Sequence, residues 1–213
     1  MGLFLWDSEP SKIFVGDTAI SKVFLWDTQV RPSGWAYSYD FTTWTISDFS
    51  SLWWSIPSQC SMSSSWLTSS GTWSTLDLSN VGWLNDALQN AKKVTMELVW
   101  YRIVSNRWEH AFSLINWNTE VNVLYGNWRN TQVIVWWTNV LNRTQSQATN
   151  TPHTMKSVCD LVNKSASYED TWVPITWTAT LSDTQISNIR DCNWLRLVVQ
   201  TGVYIKSFSI KIE

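Results

Sequence analysis

Apolar and polar positions alternate with period two along the last stretch of this 213-residue chain. Leu195, Leu197 and Val199 alternate with Arg196 and Gln200, and Phe208, Ile210 and Ile212 alternate with Ser209, Lys211 and Glu213. Successive side chains of a strand point to opposite faces, so this pattern predicts two closing strands with the apolar set inward. Tyr37, Tyr39 and Phe41 alternate in the same way with Ser38 and Asp40. Further strands are expected over 94–104, 110–115, 120–125, 132–141, 155–162 and 174–181. In Val121-Asn122-Val123-Leu124-Tyr125 the odd positions are apolar and predict the inward face. The Ser, Thr and Trp stretch of 58–75 reads as a flexible loop or short surface strands.

Two segments carry helical spacing instead. Leu84, Ala87, Leu88 and Ala91 share one face of a short helix. Ser182 to Arg190 reads as a second, with Ser182 as N-cap and Gln185 at the capping-box position. Many short strands with one or two short helices argue for an all-β fold, an antiparallel jelly-roll-type sandwich.

The start of the chain is different. Leu3-Phe4-Leu5-Trp6-Asp7-Ser8, Ile13-Phe14-Val15-Gly16-Asp17-Thr18 and Val23-Phe24-Leu25-Trp26-Asp27-Thr28 match position for position. A ten-residue period suits successive small hairpins with Gly-Asp or Trp-Asp at the turn, each too small to be stable alone. Arg31-Pro32-Ser33-Gly34 is a breaker, so residues 1–33 are expected to form a repeat segment and 34–213 the sandwich.

The Trp in those repeats is odd, because Gly reaches positive φ without a Cβ clash and a bulky residue does not. The chain has 18 Trp and 7 Gly, where average usage gives roughly 15 Gly. Asn116-Trp117, Asn127-Trp128 and Asn193-Trp194 read as Asn-Gly hairpin turns with Gly replaced. Trp53-Trp54 and Trp136-Trp137 are doublets with no evident packing reason. Two readings stand: many of these Trp are UGA codons that the true host reads as Gly, or they form a Trp-rich carbohydrate-binding surface.

Composition narrows the function. Fifteen basic and 17 acidic residues give a net charge of −2 with no basic block, which argues against nucleic acid. No apolar run approaches the ~18 residues of a membrane span, so no membrane insertion is expected. The N-terminus lacks a basic region followed by an apolar one and does not read as a secretory signal. Three scattered cysteines, Cys60, Cys159 and Cys192, read as free buried thiols, with a Cys159–Cys192 pair left open.

Catalytic constellations are missing. Glu97 is the best carboxylate on a strand, and glycoside hydrolysis needs two. Glu109 and His110 are adjacent and so point to opposite faces of a strand. His153 follows Pro152 in a polar turn and is expected at the surface. Two histidines give no zinc spacing, so no cofactor is expected; a structural calcium held by loop Asp and Asn is left open. The protein is expected not to be an enzyme. Tyr101, Arg102, Tyr125 and Arg129 are the candidate ligand residues, since aromatic rings stack on sugar faces while polar groups take the hydroxyls.

The unit Ile13-Phe14-Val15-Gly16-Asp17-Thr18-Ala19-Ile20-Ser21-Lys22 resembles the short Gly-Thr repeats near the N-termini of tailed-bacteriophage tail and fibre proteins. The remainder resembles, in strand pattern, the concanavalin-like or laminin-G-like sandwiches of phage appendages. The resemblance implies a virion structural protein, extracellular after release. Residues 1–32 would engage other virion subunits, and the lectin-like sandwich would bind host-surface carbohydrate. The alternative on the same fold is a polysaccharide hydrolase or lyase.

Overall fold

The computed structural model describes residues 13–15, 18–20, 23–25, 28–30, 34–42, 57–63, 66–78, 81, 84–103, 109–126, 130–144, 150–171 and 173–213. Two short hairpins come first. β1 (Ile13–Val15) pairs with β2 (Thr18–Ile20), and β3 (Val23–Leu25) with β4 (Thr28–Val30), both antiparallel. The registers are identical: Val15 faces Thr18 and Leu25 faces Thr28. Gly16-Asp17 and Trp26-Asp27, which separate the paired strands in sequence, lie outside the described residues. The first repeat lies outside the described residues, as do Trp53-Trp54 and Asn127-Trp128.

The rest is a two-sheet antiparallel sandwich. The smaller sheet has six strands: β8 (Ser74–Leu78), β10 (His110–Asn116), β11 (Thr119–Gly126), β12 (Asn130–Val135), β13 (Thr138–Thr144) and β17 (Trp194–Val199). Their order is β13-β12-β11-β10-β17-β8. The larger has eight: β5 (Trp35–Asp40), β6 (Cys60–Ser63), β7 (Trp66–Ser69), β9 (Lys93–Arg102), β14 (His153–Asp160), β15 (Ser165–Asp170), β16 (Val173–Thr180) and β18 (Val203–Ile212). Its order is β16-β15-β14-β9-β18-β7-β6. The far side of β18 is shared: Tyr204 and Ile205 pair with β7, and Ser207 to Ile212 pair with β5.

The core lies between the sheets. Val94, Met96, Leu98 and Trp100 of β9 point into it, opposite Leu195, Leu197 and Val199 of β17. In β18 the inward set changes parity, from Val203 and Ile205 to Phe208, Ile210 and Ile212. A bulge between Ile205 and Ser207, facing Trp100 and Val99 of β9, absorbs the extra residue. Without it, a one-residue slip would turn one half of the strand inside out. Phe208 then packs against Tyr37, Tyr39 and Phe41 of its own side, and against Phe112 of the other sheet at 5.0 Å.

Helix α1 (Leu84–Gln89) buries Leu84 and Leu88. Helix α2 (Asp183–Arg190) has the expected capping box: the Gln185 amide donates to Ser182 Oγ at 3.2 Å, and the Ser182 amide donates to Gln185 Oε1 at 2.8 Å. All three cysteines are free and buried. Burial pushes the Cys159 thiol up to about 12.

Four expectations need correction. The segment 132–141 is not one strand: β12 and β13 are a hairpin turning at Trp136-Trp137, a doublet that reads as apolar strand interior. In β11 the face is reversed for Val123 and Tyr125, because the register sets Leu124 opposite Phe112 and Asn122 opposite Leu114 on the core side, while Val121, at the bulge beside Ile115, is in the core as expected. His153 is buried within β14 and stacks on Trp100, since the strand starts at His153 itself. Trp194 opens β17 instead of occupying a turn. The stretch 58–75 holds three short strands, the second of its two stated alternatives.

Replacing Phe208 by Ala removes the ring that joins the two sheets. It is expected to cost ~3–5 kcal/mol in urea unfolding. Lys211→Ala, on the exposed face of the same strand, should change stability by no more than ~0.5 kcal/mol.

Candidate functional site

A sandwich offers two outer faces to a ligand. On the smaller sheet, Ala111, Val123 and Val198 point outward yet are only 2–4% exposed, with Tyr125 and Ile134 packed against them. Beside them the Arg196 guanidinium grips Asp77 bidentately at 2.7 and 2.9 Å, with Glu120 at 3.9 Å. Burial raises the Glu120 carboxyl, while Arg196 opposes that shift. The centre of this face is closed, and Tyr125 sits in its apolar cluster.

The outer face of the larger sheet is open. Tyr101 of β9 lies opposite Tyr204 of β18, which lies opposite Thr68 of β7. The two tyrosine rings stack 4.8 Å apart with planes 11° from parallel. Trp66 meets Tyr101 edge-on at 4.6 Å. Burial and the neighbouring Tyr204 raise the Tyr101 phenol above its ordinary value, so its hydroxyl stays a donor and acceptor at neutral pH. Across the sheet, Val99 lies between Thr154 and Ser207, and Glu97 lies between Lys156 and Ser209. Small side chains beside stacked rings leave a flat surface with hydroxyls along it.

Lys156 stands between Glu97 and Glu169 in register and reaches Glu169 at 3.5 Å. The two carboxylates are thus two strand spacings, about 10 Å, apart. The intervening lysine is ion-paired to Glu169, a cross-strand charge pair of the kind found on exposed sheet faces.

Arg102 follows Tyr101 and so points the opposite way, into the sandwich, where it is buried. That end of the interior is polar. Trp100 is flanked by His110 at 3.6 Å and His153 at 5.0 Å, and its Nε1 donates to Met155 Sδ at 2.9 Å. Gly126 is required there, because a Cβ would collide with the His110 imidazole. Burial first, then the neighbouring His153 and Arg102, hold His110 well below its ordinary 6.5. No group of three or more His, Cys, Asp or Glu converges as a metal cage among the described residues. No helix among them is long and apolar enough to cross a membrane.

Of the four candidate ligand residues, then, Tyr101 is on the open face, Tyr125 on the closed one and Arg102 inside. Arg129 lies outside the described residues. The partner of Tyr101 is Tyr204. Its signal is present in sequence: if Val203 and Ile205 face inward, Tyr204 faces outward. Which strand lies beside it is a matter of topology and is not written locally.

No family model matches the chain, and no curated protein does. Solved structures do match. Winged bean acidic lectin complexed with methyl-α-D-galactose superposes with a TM-score of 0.58 at 10% identity, over 85% of this chain and 99% of that one. The CBM2 module of Lactobacillus casei BL23 phage J-1 evolved Dit gives 0.51 at 10% identity, over 74% and 80%. A sialidase gives 0.54 at 7% identity, over 82% of this chain but only 18% of that one. At these identities the likeness is one of fold, a lectin-type β-sandwich.

The buried His110 makes stability pH-dependent. Its folded value lies below its unfolded 6.5, so the unfolded chain binds the extra proton first as pH falls. Its contribution is intact above 6.5 and is lost below it, at roughly 1.4 kcal/mol per pH unit. Urea midpoints taken downward from neutral pH should show this slope, and His110→Gln should remove it.

Proposed function

We propose that this protein binds glycans on the outer face of its larger sheet and does not cleave them. The single observation behind this reading is the stacked Tyr101–Tyr204 pair on an open face, bordered by Thr68, Thr154 and Ser207. Aromatic faces take the apolar C–H side of a pyranose, while neighbouring hydroxyls exchange hydrogen bonds with its rim. The winged bean lectin and the phage carbohydrate-binding module of like fold support the ligand class. The Lys156–Glu169 ion pair, which engages one carboxylate of this face, supports binding over hydrolysis. In this proposal residues 1–33 are the attachment segment, a virion appendage carries the sandwich outward, and host-surface carbohydrate is the ligand.

Binding to a glycan array, followed by calorimetry on the best glycan, tests the site. Tyr101→Ala and Tyr204→Ala should each weaken binding by about tenfold with an unchanged unfolding midpoint. Glu97→Gln should leave binding intact, and no reducing ends should be released. Unaltered affinity in the tyrosine variants would remove the site, and product release abolished by Glu97→Gln would establish the hydrolase instead. Deleting residues 1–33 should leave glycan binding intact and abolish incorporation into particles.

A further inference from the structure

Among the described residues, five that are not glycine have left-handed backbone: Trp117 at φ 54°, Trp136 at 49°, Trp137 at 61°, Asn150 at 58° and Lys164 at 52°. Three of the five are tryptophan. Asn visits this region readily, whereas for a bulky side chain it is an outlier. All three tryptophans occupy two-residue hairpin loops. Trp117-Asn118 connects β10 to β11, with Asn116 facing Thr119. Trp136-Trp137 connects β12 to β13, with Val135 facing Thr138. Trp136-Trp137, with both residues at positive φ, matches the type I′ turn, whose preferred sequences are Asn-Gly and Gly-Gly, while Trp117-Asn118 is positive at its first residue alone, the place where a type II′ turn takes Gly.

Packing does little to offset the strain at two of the three. Trp137 is 75% exposed and Trp117 is 68% exposed, its ring touching Trp194 at a centroid distance of 5.8 Å, while Trp136 is 37% exposed. The N-terminal repeats point the same way independently. β3 and β4 pair in the register of β1 and β2, and in the sequence of the ten-residue unit Trp6 and Trp26 align with Gly16.

We infer that Trp6, Trp26, Trp117, Trp136 and Trp137 are glycines in the organism that makes this protein. Their codon is UGA, one base from the tryptophan codon UGG and one base from the glycine codon GGA. It becomes tryptophan only where UGA is given its tryptophan meaning. The substitution narrows the surplus of one residue type and the deficit of the other, which stand at 18 Trp against 7 Gly. Trp100 is native by the same criterion, since it has no left-handed backbone. Trp100 is 1% exposed, lies between His110 and His153, and bonds Met155. The consequence for binding is that the hairpin tips carry no aromatic surface. The inference does not depend on the glycan reading.

Peptide mass spectrometry of the protein from its native host, with the codons of its gene, tests this directly. Glycine at all five positions from UGA, and tryptophan at 100 from UGG, is the expected result. Tryptophan at any of the five, or glycine at 100, overturns the assignment. Recombinant protein checks the physical premise. The triple variant Trp117→Gly, Trp136→Gly, Trp137→Gly should melt higher, on the order of 2–4 °C for each relieved position, and Trp100→Gly roughly 10 °C lower. A triple variant that melts no higher than the parent would overturn the strain argument.

Discussion

The sandwich depends on how β18 keeps two apolar runs of opposite parity facing the same core. Val203 and Ile205 occupy odd positions and Phe208, Ile210 and Ile212 even ones, and all five are buried. The bulge beside Lys206 reconciles them. It lets one strand close the larger sheet against β9 along its whole length, while β7 and β5 divide its other edge. Phe208 then meets Phe112 across the sheets. The same device puts Tyr204 outward and opposite Tyr101. The candidate site is thus a by-product of core packing: the residues that bury the strand are those that fix the ring pair.

Much of this was legible from the chain. The last strands, the small helices and the Ser182–Gln185 capping box follow from local spacing, because each is decided within a few residues. What was not legible depended on partners far along the chain. The stacking of Tyr101 on Tyr204 needs β9 beside β18, which local alternation does not state. β15 carries no apolar alternation of its own, because its inward positions are Ala166, Tyr168 and Asp170, and only a partner strand makes that set a core face. The polar residues before His153 point to solvent, yet Trp100 opposite gives it an aromatic surface to stack on.

The failure at 132–141 is of another kind. Two apolar residues at 136 and 137 made a hairpin look like a strand, and the backbone there takes a conformation that only glycine adopts without strain. Glycine at both positions would have announced the turn. The local rule and the backbone agree with each other and disagree with the side chain, which is the sign of a wrong residue at those positions and not of unusual packing.

The central claim is that ligand meets the outer face of the larger sheet. Amide chemical shifts of isotope-labelled protein, followed while a bound glycan is added, test it most directly. Perturbations centred on Thr68, Val99, Tyr101 and Tyr204 are predicted, with Tyr125 and the 136–137 turn unmoved. Perturbations centred on Tyr125, or on the hairpin tips, with the Tyr101–Tyr204 pair silent, would contradict the account.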